Sequence, residues 1–302
     1  MDAQTVFRRY EELRHILPTP GHQGEMANAG GLIELAGKAD VFVFDAYGVL
    51  NVGGTAIAGA ADAVRVLRTL GKRLFVLTNA ASLNRARTEA KFAALGFDFR
   101  PEEIISSRDA TLEALARHGE VHGEVEEWGV IADPSHRPAD LPCAHRVLGD
   151  DPQDYDRAGG FLFLSANAWN DSRQQLLTEA LARRRRALLV GNPDLVSPRE
   201  GGLAREPGWY ANEIADITGI TPEFHGKPFP SVYGMVMRAL PADQPRERIM
   251  MLGDTLHTDI LGAQAQGWQA GLVTEHGLFA GLDVRPFIEA SGIRPDWIMP
   301  SI

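Results

Sequence analysis

The 302-residue chain has a single cysteine, Cys143, so no disulfide can form within it. It also has no apolar run approaching the ~20 residues that cross a bilayer. The longest runs, such as Ala187–Val190 and Ile249–Leu252, are strand-sized. Basic charge is in deficit: 30 Lys and Arg stand against 40 Asp and Glu, a net charge of −10. That balance opposes a nucleic-acid surface. The one basic cluster, Arg183–Arg186, leads straight into an apolar strand and reads as a solvated helix face. The first 17 residues lack the apolar core of a secretory signal, because Arg8, Arg9, Glu11, Glu12 and Arg14 interrupt them in an amphipathic helical pattern. Together these absences point to a cytoplasmic protein with neither membrane nor nucleic-acid partners. Internal repeats and low-complexity segments are missing too. What remains is globular composition, 44% hydrophobic and 23% charged, enough for one large domain or two smaller ones.

Short apolar runs alternate with amphipathic stretches. Val41–Phe44, Leu74–Leu77, Ile104–Ile105, Met250–Leu252 and Gly271–Val273 read as strands. Gly59–Leu70, Asn84–Leu95 and Asp259–Gln266 read as helices, the last two closed by Gly96 and Gly267. That alternation implies βαβ units around a parallel sheet, with ligands gathered at the carboxyl ends of the strands. The middle differs. Residues 119–160 are rich in turn formers, and Gly191–Gly208 reads as a loop punctuated by Pro193, Pro198, Gly201, Gly202 and Pro207. Between them lie the strand Gly160–Leu164, the helix Ser172–Arg184 and the strand Ala187–Val190. The expected organisation is a discontinuous core, residues 1–109 and 221–302, with a second α/β domain inserted at 110–220.

Four polar clusters follow predicted strands. In Phe44-Asp45-Ala46-Tyr47-Gly48, an acid leaves a buried strand and a glycine allows a tight turn. A carboxylate placed there can attack phosphorus and form an acyl phosphate, and it can equally cap a loop. In Leu77-Thr78-Asn79-Ala80, a hydroxyl and backbone N–H groups can hold phosphate oxygens, and the same residues suit an ordinary turn. Lys227, within His225-Gly226-Lys227-Pro228, can neutralise phosphate charge beside a carboxylate or lie at the surface. In Gly253-Asp254-Thr255-Leu256-His257-Thr258-Asp259-Ile260, two acids on one loop suit the oxygen ligands of Mg²⁺, although Asp259 alone also suits a helix first turn.

The ordered set Asp45, Thr78, Lys227, Asp254 and Asp259 resembles the haloacid dehalogenase superfamily over roughly residues 38–280. The long insertion before the lysine resembles its class IIA members, as do Gly191-Asn192-Pro193-Asp194 and His225-Gly226-Lys227-Pro228. The resemblance implies a Rossmann-like parallel-sheet core with an inserted α/β cap. It implies Asp45 as covalent nucleophile, with Tyr47, Thr78, Lys227 and Asp254 completing the catalytic group. Mg²⁺ would be held by Asp45, Asp254, Asp259 and the backbone carbonyl of Tyr47. Substrate would meet Thr78, Asn79, Lys227 and, on the cap loop, Asn192 and Asp194. The implied partner is a small phosphorylated metabolite such as a sugar phosphate or nucleotide, and the caps of such proteins often form a homodimer.

One position departs from the pattern. Phosphatases of this group usually carry a second Asp two residues after the nucleophile as general acid and base, and here Tyr47 stands there. A phenol with pKa near ~10 donates a proton but is rarely ionised to accept one. His257 is a substitute to consider, although it also reads as a solvent-exposed loop residue. Phe44-Asp45-Ala46-Tyr47-Gly48 also resembles the first motif of haloacid dehalogenases proper, which attack carbon without a metal. Three readings follow: a Mg²⁺-dependent phosphatase, a metal-independent dehalogenase, and a catalytically weak binder of phosphorylated ligands. The acid pair Asp254 and Asp259 favours the first, because carboxylates crowded around a carboxylate nucleophile repel one another without a cation.

Overall fold

Val-Phe-Val-Phe at 41–44 is β-branched and aromatic at successive positions and forms a strand buried on both faces. It lies near the centre of a seven-stranded sheet in a computed structural model that describes residues 1–136, 138–199 and 201–302. From one edge to the other the strands are Ala27–Asn28, Trp297–Met299, Gln269–Val273, Ile249–Gly253, Val41–Phe44, Arg73–Thr78 and Ile104–Ser106. All neighbours are parallel. Side chains alternate between two apolar layers. Val41, Val43, Phe75, Leu77 and Met251 pack on one face, and Phe42, Phe44, Leu74, Val76 and Leu252 on the other. Burying each such side chain contributes roughly 1.5–3 kcal/mol.

The strand Val41–Phe44 pairs with Ile249–Gly253, but the chain leaves them in opposite directions across the sheet, toward Arg73–Thr78 and toward Gln269–Val273. A crevice opens where such connections diverge, and Asp45 and Asp254 are the residues that follow these two strands.

A second sheet has the order Glu223–Phe224, Leu188–Val190, Gly160–Phe163, Trp128–Ile131, His145–Val147, again all parallel. It has its own apolar cluster around Tyr155, Phe161, Phe163 and Leu181. Its strands span 128–224, so the crossings lie near but not at the expected 110–220. The outbound link is the helix Ser107–His122, started by a capping box in which the Ser106 hydroxyl accepts the Asp109 N–H at 3.2 Å. That helix runs straight through residue 110. Two expectations change locally. Trp128–Ile131 and His145–Val147 are strands within the turn-rich stretch, paired with each other and, for the first, with Gly160–Phe163. Within Gly191–Gly208 the segments Val196–Arg199 and Gly202–Arg205 form an antiparallel ribbon. Pro198 is tolerated because this two-stranded ribbon has only edges.

The predicted N-terminal helix spans Ala3–Glu12, with the Asp2 side chain accepting the Thr5 N–H at 2.8 Å. Its apolar stripe, Val6, Phe7 and Tyr10, packs into the core layer that holds Tyr233 and Leu256. Arg9 forms an ion pair with Asp216 on the cap helix Pro207–Thr218, so this helix touches both domains. Among the described residues no helix is long and apolar enough to cross a membrane.

Candidate active site

The sheet delivers three of the predicted residues, Asp45, Thr78 and Asp254, to one end. Asp45 follows its strand directly and turns back, its Oδ1 accepting the Ala46 N–H at 2.7 Å. Gly48 sits at φ +82°, and a Cβ there would meet Asp254 Oδ2 at 2.8 Å, so the turn needs glycine for both conformation and space. Thr78 ends its strand, buried, with its hydroxyl accepting the Ala80 N–H at 3.2 Å. Lys227 arrives from 182 positions beyond Asp45 and places Nζ 2.5 Å from Asp45 Oδ1 and 2.7 Å from Asp259 Oδ1.

Asp259 reaches the crevice by an unusual turn. The segment Leu256–Ile260 is a π-helical turn leading into the helix Leu261–Ala265, where the sequence suggested a plain helix from Asp259. The wider turn brings the Asp259 Oδ2 back to accept the Thr255 N–H at 3.1 Å. Gly253 makes room, since a Cβ on it would lie 2.1 Å from the Asp259 Cβ. Asp254 is fixed separately: Oδ2 accepts the Leu278 N–H at 2.7 Å, and Oδ1 accepts the Thr255 hydroxyl at 3.0 Å.

Asp45, Asp254 and Asp259 each offer a carboxylate oxygen within 4.8 Å of the others. Asp194, half-buried, lies beside them. Four acids thus surround one lysine, and the charge imbalance shows in their proton affinities. Burial, more than the neighbouring charge of Asp259, pushes Asp45 up to about 6 despite Lys227. Burial and then the charges of Asp259 and Asp45 push Asp254 up to about 8. Burial also holds Asp194 well above the carboxylate range. Lys227 is held protonated by Asp259 and Asp45 against its own desolvation. Asp259 Oδ1 accepts no hydrogen bond of good geometry although it lies within ion-pair reach of Lys227. Hard oxygen donors, excess negative charge and an unsatisfied carboxylate oxygen are what a divalent cation such as Mg²⁺ requires, so the residues fit one.

The cap closes over this edge. The Asp194 Oδ1 accepts from Asn79 Nδ2 at 2.8 Å, so the cap loop is bonded to the core loop. Asn79 also donates to the Lys227 carbonyl and accepts the Lys227 N–H at 2.7 Å. Predicted as a substrate contact, its amide is occupied here by protein partners and joins three loops. Asn192 is similar: its Oδ1 accepts the Asp194 N–H at 3.0 Å, and its Nδ2 donates to the buried Glu206 at 3.1 Å. Both asparagines line the crevice, as do Asp194, Thr78 and Tyr47. The Tyr47 ring is half-buried against the wall, with Lys91 Nζ 4.2 Å and the Arg199 guanidinium 5.6 Å from its centroid. His257 is not a solvent-exposed loop residue. It is fully buried, stacked on Tyr10 at 4.8 Å, with Nε2 2.5 Å from Glu11, and it does not line the crevice.

Three contributors escaped the sequence reading. Tyr10 lines the crevice and accepts the Leu195 N–H at 3.2 Å on its hydroxyl. Glu206 gathers Asn192, Ser197 and Arg199. Arg199 enters from the ribbon. The amphipathic pattern of the first helix was visible, but nothing local tells which surface that helix covers.

The comparisons with known proteins agree with this geometry. A haloacid dehalogenase-like hydrolase family model matches residues 42–131, and a HAD-hydrolase-like model matches 224–302. Those segments carry Asp45, Thr78, Lys227, Asp254 and Asp259. The chain is 26% identical over 264 residues to the 4-nitrophenylphosphatase of Schizosaccharomyces pombe, covering 81% of this chain and 86% of the relative. It is 26% identical over 238 residues to the acid sugar phosphatase of Staphylococcus haemolyticus, covering 78% and 83%. Among solved structures, a possible sugar phosphatase from Cytophaga hutchinsonii superposes with a TM-score of 0.77 at 24% identity, covering 91% of this chain and 98% of that one. The protein therefore has the haloacid dehalogenase-like fold with a cap and is a hydrolase of that type.

Proposed function

We propose that the protein is a Mg²⁺-dependent phosphatase of small phosphomonoesters that works through an aspartyl phosphate on Asp45. The observation that carries this reading is the convergence of Asp45, Asp254 and Asp259 within 4.8 Å, with one lysine to balance them. The names of the relatives, 4-nitrophenylphosphatase and acid sugar phosphatase, support the same class of substrate.

Asp45, Asp254, Asp259 and the Tyr47 carbonyl would hold Mg²⁺, which when bound neutralises charge on the transferring phosphoryl group. The remaining chemistry belongs to the chain. The Ala46 N–H and Lys227 fix the Asp45 carboxylate and keep it ionised for attack on phosphorus. Lys227 and the Thr78 loop lie where they would hold the phosphoryl oxygens through a loose transition state. A phosphorus–oxygen bond to Asp45 forms as the ester bond breaks, and the leaving alkoxide needs a proton. Two groups facing the crevice can supply it, the Tyr47 phenol and the Asp194 carboxyl, whose hold on a proton desolvation strengthens. Water then attacks the acyl phosphate and releases phosphate.

The free space within the crevice is about 70 Å³. At ~10–15 Å³ per water it holds on the order of five waters, so a sugar phosphate needs the cap to swing aside. The test is phosphate release from a panel of small phosphomonoesters and halide release from 2-haloacids, each with Mg²⁺ and with chelator. Chelator-sensitive phosphate release, with a phosphoryl group trapped on Asp45 by acid quench, is expected. Halide release that survives chelator would refute the proposal.

A further inference from the structure

A second group of metal-ligating side chains lies outside the crevice. His118 and His122 stand four residues apart on one face of the helix Ser107–His122. Glu223 faces them from the edge strand of the cap sheet. One ligand atom from each lies within 4.8 Å of the others. His118 is buried, and its ring meets the edge of Trp128 at 5.0 Å and the His122 ring at 4.9 Å. His122 and Glu223 are exposed. A fourth group points the same way. His225 is only 6% exposed, lines the same groove, and has no hydrogen-bond partner of good geometry on either ring nitrogen. Its Nε2 lies 3.1 Å from Glu223 Oε1.

The position in the chain gives the cluster its meaning. His118 and His122 belong to the last turns of the helix that carries the chain from core to cap. Glu223 belongs to the strand by which the chain returns, four residues before Lys227. We propose that His118, His122 and Glu223 form a zinc-type transition-metal site that staples the two core–cap crossings together. Two imidazoles and one carboxylate are a borderline donor set that prefers Zn²⁺ or Co²⁺ to Mg²⁺, whose proposed site is made of oxygen donors alone. Tetrahedral bonds of ~2.0–2.1 Å place ligand atoms roughly 3.3 Å apart, so the cluster must contract. The two exposed side chains can do that by rotamer changes while His118 stays fixed against Trp128. The open fourth position would take water or His225.

The experiment uses the full chain, stripped with chelator and then kept in excess Mg²⁺ so that the acidic crevice is filled. Co²⁺ is titrated and its visible absorption followed. The expected result is the intense absorption of four-coordinate Co²⁺, saturating at one ion per chain and displaced by Zn²⁺. It should be lost in His122→Ala and in Glu223→Gln, whose side chains are exposed and whose folding circular dichroism will check. It should be unchanged in Asp254→Asn. Absorption that survives either groove variant, that disappears in Asp254→Asn, or that never develops in the parent protein overturns the proposal.

Discussion

Lys227→Met removes what is, among the described residues, the one cation set among the four carboxyl groups of the crevice, and the structure sets both the size and the pH dependence of the damage. Lys227 is 1% exposed and pairs with Asp45 and Asp259 at 2.5 and 2.7 Å. Removing one partner from such a buried pair costs roughly 3–5 kcal/mol. That is a large share of the ~5–15 kcal/mol by which domains are stable. The cost depends on how many carboxyls are ionised. In the parent protein Asp45 is raised to about 6 and Asp254 to about 8. A group raised in the native state binds more protons there than in the unfolded chain, so its stabilisation is complete below the unfolded pKa and is lost as pH rises through the native value. The metal-free parent should therefore lose stability from about pH 4 up to pH 8, the Asp45 share ending near pH 6. Without Lys227, Asp45 keeps its proton to higher pH and the decline continues. At ~1.4 kcal/mol per pH unit and one proton, the penalty of the substitution should grow by up to about 2–3 kcal/mol between pH 6 and pH 8. Urea unfolding in chelator at these two pH values, followed by tryptophan fluorescence, to which the buried core residue Trp268 contributes, measures it. Mg²⁺ should recover part of the loss at pH 8 and little at pH 5. An equal penalty at both pH values, unaffected by Mg²⁺, would show that the pair is held by packing and that the crevice carries no excess charge.

Other substitutions test the chemistry. Asp45→Asn should abolish turnover and the acid-quench phosphoryl adduct while leaving the fold intact by circular dichroism. Tyr47→Asp should speed hydrolysis of alkyl phosphates, toward the ~10²–10⁴-fold that a general acid and base supply, and change 4-nitrophenyl phosphate far less because that leaving group departs without a proton. A variant no faster on alkyl phosphates shows that another residue already supplies the proton. Asp194→Asn then discriminates: if that carboxyl is the donor, kcat for alkyl phosphates falls more than kcat for 4-nitrophenyl phosphate. Tyr10→Phe deletes the hydroxyl that accepts the Leu195 N–H, costs about 1 kcal/mol of closed-cap stability, and should raise hydrogen exchange at Leu195.

What the sequence disclosed and what it hid follow one physical division. Val41–Phe44 and Ile249–Gly253 are buried on both faces, so their composition announced them, and chemistry placed at their carboxyl ends was legible as Asp45 and Asp254. Thr78 was legible because a parallel sheet sends every strand end to the same edge, whereas Lys227 follows the edge strand of the second sheet and was legible only through its motif. The inserted cap was visible as an interruption, but Trp128–Ile131 and His145–Val147 are only four and three residues long and lie among proline turns, too short for periodicity to distinguish them. The ribbon at 196–205 was hidden for the same reason, and with it Arg199 and Glu206.

His257 shows a different limit. Its neighbours along the chain, Leu256 and Thr258, say nothing of Tyr10 and Glu11, which lie nearly 250 positions away and bury it. Polar residues acquire their meaning from such distant partners. Asn79 makes the point most fully, since one side-chain amide is bonded to Asp194, 115 residues on, and to both backbone groups of Lys227, 148 residues on. A residue with those bonds cannot hold substrate without releasing the cap. Cap opening breaks the Asn79–Asp194 bond but not the two to Lys227, so the lysine stays beside Asp45 while the roof lifts. On the proposed mechanism, Asp45 and its cation would thereby be kept together in the core while the cap moves.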